Sequence, residues 1–260
     1  VSKKRVLILI PARFASTRFP GKPLVKIGSK SMISLVLENC LITTHSSIDF
    51  EAFVVTDDQR IEDHIKSFSS QVVRVDDEVN SGTLRIEMAF ERFFKNKNFD
   101  LVINVQGDEP LLSAIDLVAL SEFHLNSSFD IATLVRKMPH FDEVFRDLNK
   151  VKAVISESDG RALYFSRAPI PCKRDLELNN QNSESDFWYL HIGVYSYRPN
   201  ALKKFSSASE TRLEYLEKLE QLRALEIGLS IGAIETKSLL IGVDHLDDVK
   251  KVEEVLSGRK

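Results

Sequence analysis

The chain has little of what marks several protein classes. Only two of its 260 residues are cysteines, Cys40 and Cys172. That is too few for the disulfide framework of a small secreted domain, although counting leaves a single bridge open. A reduced, cytoplasmic setting suits such cysteine usage better. No segment reaches the roughly 18 consecutive apolar residues that a membrane helix needs. The apolar run behind Lys3, Lys4 and Arg5 is too short for a signal-peptide core, so a soluble, untargeted protein is expected. There is no basic surplus either: 35 basic against 38 acidic residues leave a net charge of −3. Overall charge therefore does not point to a nucleic-acid polymer or an anionic membrane. HExxH, a Cys/His cluster and GxSxG are all missing, which weakens hydrolase readings. The GxxxxGK[ST] phosphate loop and the GxGxxG dinucleotide fingerprint are missing too. No internal repeat or low-complexity tract interrupts the chain.

What is present is periodic apolar sequence. Hydrophobic residues make up 43% of the chain and 16 residues are Phe, enough to build an ordered core. Val6-Leu7-Ile8-Leu9-Ile10 is continuous and partly β-branched, as a parallel strand buried on both faces would be. Strand character recurs at 52–56, 71–75 and 101–105. Helical spacing fills 31–41, about 60–68, about 82–94 and about 113–124. Such alternation predicts an α/β fold with a mostly parallel central sheet flanked by helices. Beyond residue 125 the pattern loosens into a small mixed lobe. Strands are expected at 131–136, 151–155, 188–197 and 231–236. One long amphipathic helix is expected at 211–227, a terminal helix at 247–256 and an exposed, mobile loop at 173–186. The whole reads as one intertwined domain, with a small lobe built from the second half packing over a nucleotide-type first half.

Ligands in such folds sit at the carboxyl ends of the parallel strands. That rule alone gathers Arg13, Arg18, Lys22, Asp57, Ser81 and Asp108 at one crevice. Three cations over a strand–loop–helix junction suit a polyphosphate, although a solvated basic loop has the same composition. Asp108 follows an apolar strand in VQGDEP, where a rigid backbone could aim it at Mg²⁺. Asp244, after Ile241-Gly242-Val243, is the candidate second carboxylate. A turn residue and a helix N-cap are the structural alternatives for these two aspartates. Asp58 reads as a cap of the helix that follows it.

Taken together, IPARFASTRFPGKPL, VVTDDQRI, SGTLRI, INVQGDEPLL, ALYFSRAPIP, HIGVYSYR, KLEQLRALEIG and GVDHLDDVKKVE resemble the 3-deoxy-manno-octulosonate cytidylyltransferases, in the family's order and over nearly the whole chain. The resemblance implies a nucleotide-diphospho-sugar transferase fold, a homodimer, and Mg²⁺-dependent reaction of CTP with an eight-carbon 3-deoxy sugar acid (Kdo). The products would be CMP-Kdo, for lipopolysaccharide synthesis, and pyrophosphate. It implies that Arg13, Arg18 and Lys22 hold the triphosphate, Arg13 and Lys22 serving catalysis. Ser81, Gly82 and Arg85 would serve the nucleotide. Gln106, Arg167, His191, Tyr195, Glu220 and Gln221 would line the sugar pocket, and Asp108 and Asp244 would hold the metal. Without the resemblance, His191 is as readily a buried strand histidine, Tyr195 a packing aromatic, and Arg167 half of an exposed ion pair. Glu220 and Gln221 would be read as solvated.

Two departures stand out. Leu84 occupies the usually acidic place in SGT[DE]R, and VDHLDD lacks the proline of a VDTPED-like run. The alternatives left open are the 8-amino form of Kdo, another acid sugar such as a nine-carbon one, and a non-catalytic nucleotide-binding protein on the same fold. The acids of 173–186, Asp175, Glu177, Glu184 and Asp186, would be the first suspects for meeting an amino group.

Overall fold

A computed structural model of the chain describes residues 2–15, 19–79, 81–139, 143–172 and 187–258. The first half runs β1 (Lys4–Ala12), β2 (Lys26–Ile27), β3 (Lys30–Ser31), α1 (Met32–Leu41), β4 (Ile48–Thr56), α2 (Gln59–Lys66), β5 (Val72–Arg74), α3 (Gly82–Ala89), β6 (Leu101–Asn104) and α4 (Ala114–Leu125). The second runs β7 (Ile131–Met138), α5 (Glu143–Arg146), β8 (Lys152–Ile155), β9 (Ala162–Ser166), β10 (Trp188–Tyr197), α6 (Pro199–Ser207), α7 (Arg212–Glu217), α8 (Glu220–Glu226), β11 (Ile231–Glu235) and α9 (Leu246–Gly258).

The main sheet has the order β11-β7-β10-β6-β1-β4-β5. Of these strands only β10 is reversed, pairing antiparallel with both β6 and β7. The sheet is therefore mixed but mainly parallel, as expected. It draws β1, β4, β5 and β6 from the first half and β7, β10 and β11 from the second. β1 lies in its middle because it has apolar residues to offer both faces. Val6, Ile8 and Ile10 pack with α1, α2, α4 and α9, while Leu7 and Leu9 pack with α3, α6 and α8. β10 overhangs the end of β6, and there it carries β8 and β9 as a small antiparallel lobe.

Helix starts follow local chemistry. The Ser31 side chain caps α1 by accepting from Ser34 N–H, and Asp58 caps α2 by accepting from Arg60 N–H. Ser113 and Asp116 form a reciprocal capping box at α4. From β1 the chain steps to β4 and β5 on one side, then returns to β6 on the other. The resulting switch point opens a crevice at the carboxyl ends of β1 and β6.

Two expectations need correction. The single helix over 211–227 is two: Lys218 adopts a left-handed φ of 51° and separates α7 from α8. Leu213, Leu216, Leu219, Leu222 and Leu225 recur strictly every third residue, whereas a helix turns every 3.6. Their stripe winds around the axis, so one straight helix cannot bury it all. Leu216 is in fact 59% exposed, while Leu222 is fully buried. The other correction is α3, which ends at Ala89 and continues as a wider π turn over Phe90–Phe94. α6, which begins with Pro199 in its first turn, had no counterpart in the sequence reading. The 173–186 loop lies outside the described residues. Both cysteines are free thiols, Cys40 buried and Cys172 exposed. No helix among the described residues is long and apolar enough to cross a membrane.

His124 closes α4 onto the sheet. Its Nε2 lies 3.0 Å from the Phe129 carbonyl and its Nδ1 2.8 Å from Ser196 Oγ. The ring is thus a neutral tautomer that donates to the carbonyl and accepts from the hydroxyl. Burial pushes its pKa down to about 4. An unfolded histidine titrates near 6.5, so the unfolded chain takes up this proton first as pH falls. The contribution is complete above about pH 6.5 and disappears towards about pH 4, at roughly 1 kcal/mol per pH unit. Chemical denaturation of the parent and His124→Gln between pH 7 and 4.5 should show a shallower loss of stability in the variant. Parallel curves would remove His124 from the acid response.

Candidate active site

The loop after β1 closes on itself. Gly21 N–H donates to the Phe14 carbonyl at 3.0 Å, and Gly21 has φ 73°, a conformation that side chains resist. A Cβ at Gly21 would also come within 3.2 Å of the Phe14 ring. This turn delivers Lys22 at the start of a 3₁₀ turn, Lys22–Leu24. Lys22 Nζ lies 2.5 Å from Asp108 Oδ2 and 3.4 Å from Asp244 Oδ1. A loop at the end of β1, the turn after β6 and the segment before α9 thus meet at one ammonium. Arg13 directly follows β1 in the same loop. Its Nε and Nη2 are buried without a partner among the described residues. Buried donors left unpaired cost about 1–3 kcal/mol each, and an anion would satisfy them. Arg18 lies outside the described residues.

Asp108 and Asp244 approach each other because their segments are tied: Val243 N–H donates to the Asp108 carbonyl at 3.0 Å. Asp248, in the first turn of the last helix, accepts from the N–H groups of Asp244 and His245 at 3.1 and 3.0 Å. Among the described residues no set of three or more His, Cys, Asp or Glu side chains is placed to hold a metal. Two carboxylates converging on one positive charge nevertheless match the donor set of Mg²⁺, which takes one or two carboxylates plus phosphate oxygens. Glu109 adds a third carboxyl behind them. Burial, then the charge of Asp108, pushes its pKa up to about 8.

Among the residues expected to meet the nucleotide, Ser81 caps α3, its Oγ accepting from Leu84 N–H at 3.2 Å. Gly82 lets the backbone pass close to its neighbours: a Cβ there would sit 3.2 Å from Pro11 and 4.0 Å from Gln106 Oε1. Arg85 is almost wholly buried, and its two Nη atoms donate to the Val75 carbonyl and to Asp57 Oδ2, each at 2.6 Å. Burial depresses its pKa. Its terminal nitrogens are thus occupied in fastening α3 to the ends of β4 and β5, a tether that the sequence reading missed.

Two of the residues expected at the acceptor pocket, His191 and Tyr195, lie on β10. Its register shifts between Ile192 and Tyr195. In a flat strand, residues four apart are separated by about 13 Å. Here the rings of His191 and Tyr195 are 5.4 Å apart, because the bulge folds the strand back. His191 Nε2 lies 3.2 Å from Thr133 Oγ1, and burial drives the His191 pKa down to about 3, so the ring is neutral. Tyr195 is held well above the usual tyrosine range by burial and by Tyr197 and Glu220. Glu220 starts α8, where its Oε2 accepts from Thr83 Oγ1 at 2.8 Å, and Asn104 Nδ2 reaches the same hydroxyl at 3.4 Å. Gln106 Nε2 points to Asn104 Oδ1 at 3.5 Å. Gln221 is buried beside Glu220.

Arg167 stands differently. Its guanidinium donates to the carbonyls of Glu217, Leu148 and Lys218 at 2.8, 3.1 and 3.4 Å. It therefore fastens the lobe to the break between α7 and α8. Thr83, Asn104, Glu109 and Glu217 were all missed by the sequence reading. Thr83, Asn104 and Glu109 sit inside the runs SGTLRI and INVQGDEPLL, whereas Glu217 carried no local signal.

A cationic loop and paired carboxylates at a switch point are parts that a nucleotidyltransferase needs, and the cytidylyltransferase family model matches residues 7–231. The 3-deoxy-manno-octulosonate cytidylyltransferase of Cytophaga hutchinsonii is 38% identical over 252 residues, covering 97% of this chain and 98% of its own. That of Syntrophotalea carbinolica is 39% identical over 256 residues, covering 97% and 99%. A solved structure of CMP:2-keto-3-deoxy-manno-octonic acid synthetase complexed with CTP superposes with a TM-score of 0.86 at 32% identity, covering 99% of this chain and all of that one. The chain belongs to the 3-deoxy-manno-octulosonate cytidylyltransferase family. A 4-diphosphocytidyl-2C-methyl-D-erythritol synthase shares the fold alone, with a TM-score of 0.63 at 16% identity, covering 98% of this chain and 99% of that one.

Leu84 now has a place. With Ser81, Glu220 and Arg223 it lines a cavity of about 470 Å³ between the start of α3 and α8. It is also the third helical residue, from which an acidic side chain would reach back to Ser81 N–H as Asp116 does to Ser113. Leu84→Glu should therefore complete the box and raise stability by about 0.5–1 kcal/mol, read as an upward shift in the urea midpoint. An unchanged or lower midpoint would mean that Leu84 contributes more as an apolar wall than a box would.

Proposed function

We infer that the chain transfers the cytidylyl group of CTP to the anomeric hydroxyl of 3-deoxy-D-manno-octulosonate. The hydroxyl oxygen bonds to the α-phosphorus as its proton is lost, and the bond from that phosphorus to pyrophosphate breaks. The observation that carries this reading is Lys22 lodged between Asp108 and Asp244, with the unpartnered donors of Arg13 in the same loop as Lys22. In-line phosphoryl-type transfer needs positioning and charge neutralisation more than a covalent intermediate. Arg13 and Lys22 neutralise charge that grows on the departing pyrophosphate. Gly82 admits the nucleotide close to the backbone. Gln106, His191, Tyr195, Glu220 and Gln221 supply hydrogen-bonding groups to a polyhydroxylated acceptor. Asp108 and Asp244 would hold Mg²⁺, which supplies a Lewis acid for phosphate oxygens when bound.

The activated sugar acid serves lipopolysaccharide synthesis. We place the enzyme in the cytoplasm, a reading supported by its free thiols. A homodimer is our reading of the second half, supported by the family resemblance and by exposed Leu163, Tyr215 and Leu216 on the lobe and α7. For the acceptor, pyrophosphate release with CTP, UTP or ATP crossed with Kdo and its 8-amino analogue is the deciding assay. CTP with Kdo should give the highest kcat/KM. Preference for the analogue would assign the chain to the 8-amino branch, and tight CTP binding without turnover on any acceptor would make it a nucleotide-binding protein.

Asp108→Asn should lower turnover by at least about 100-fold with the circular dichroism spectrum unchanged. Near-parental activity at saturating Mg²⁺ would remove Asp108 from the reaction. Arg13→Ala should raise the KM for CTP and lower kcat, together about 10- to 1,000-fold in kcat/KM, with little effect on the acceptor KM. An unchanged CTP profile would separate Arg13 from the triphosphate.

A further inference from the structure

Glu109 is the one carboxyl of the centre to which the reaction described above gives no task. It follows Asp108 in a tight turn whose hydrogen bonds are internal: Glu109 N–H donates to the Gln106 carbonyl and Leu112 N–H to the Glu109 carbonyl, each at 3.2 Å. The side chain turns inward, to the segment that carries Asp244. Its Oε1 lies where a Cβ on Gly242 would come within 3.2 Å, so only glycine leaves that space open. Its Oε2 is shut off from solvent with no hydrogen-bond partner among the described residues. A buried carboxyl oxygen without a partner is costly and calls for a missing neighbour. Mg²⁺ keeps several of its waters when bound by one or two carboxylates. Groups that orient ligands from behind are part of how a metal site is tuned.

We propose that Glu109 is a positioning residue of the cation centre, holding together the two segments that deliver Asp108 and Asp244 and meeting, through Oε2, a water of the divalent ion's hydration shell. This rests on the reading that Asp108 and Asp244 hold a divalent cation. Glu109 does not itself ligate the ion. Its loss loosens the convergence of the two aspartates and removes an acceptor for the ion's waters.

Direct binding of Mn²⁺, followed by the electron paramagnetic resonance of the free ion with CTP present, tests the proposal without turnover. Glu109→Gln should weaken Mn²⁺ binding about 10- to 100-fold. Its circular dichroism should stay parental, and turnover should recover as Mg²⁺ is raised. Asp108→Asn should abolish Mn²⁺ binding. Gly242→Ala, whose methyl group crowds the Glu109 carboxyl, should weaken Mn²⁺ in the same direction and settles the matter if Glu109→Gln does not fold. Parental Mn²⁺ affinity in Glu109→Gln, or in Gly242→Ala where that variant decides, with Asp108→Asn defective overturns the role of Glu109 alone. Parental affinity in Asp108→Asn overturns the metal reading, and this proposal with it.

Discussion

One ammonium group draws together three remote stretches of chain. Lys22 is separated by 86 residues from Asp108 and by 222 from Asp244, yet contacts both carboxylates. Two carboxylates brought this close would repel each other without an intervening positive charge. The lysine thus lets the loops after β1 and β6 and the segment before α9 share a small volume.

The sheet explains why the contact falls there. A switch in the side on which successive strands add leaves a crevice at the ends of β1 and β6, and β10, antiparallel to β6, pairs Tyr195 with the last residue of β6 and carries His191 beyond it. Around the rim, charge is consumed by structure as well as offered to ligands. Arg85 is bound to Asp57 and the Val75 carbonyl, and Arg167 to three carbonyls of the α7–α8 break and the loop before β8. Arg13 keeps two buried donors, Nε and Nη2, that nothing among the described residues satisfies, and Arg85 keeps one, its Nε.

Much of this was legible from residue order. The run Val6–Ile10 can only be a strand buried on both sides, and Ser31, Asp58 and Ser113 announce their helices by capping chemistry. The cationic loop and the two aspartates follow from where polar residues sit at strand ends. What was not legible depends on contacts distant in sequence. Thr83 and Glu220 are 137 residues apart, and nothing local to either foretells their hydrogen bond. The Lys218 break shows a different limit: each leucine fits a helix taken alone, and only the drift of a strict three-residue period argues against one rod. Arg167 precedes the described residues Ala168 and Pro169 in a way that suggests exposure, but its partners are carbonyls, which leave no signature in sequence.

The bond between Thr83 and Glu220 fastens α3 to α8, and Lys22 fastens the loop after β1 to the segments that carry Asp108 and Asp244. Elements so far apart in the chain are laced by side chains, and their spacing is measured in methylene groups. A descendant of this chain need not remodel the sheet to change that spacing. Lengthening or cutting the lace at Thr83 or Glu220 would shift α8 against α3 and leave the one at Lys22 in place.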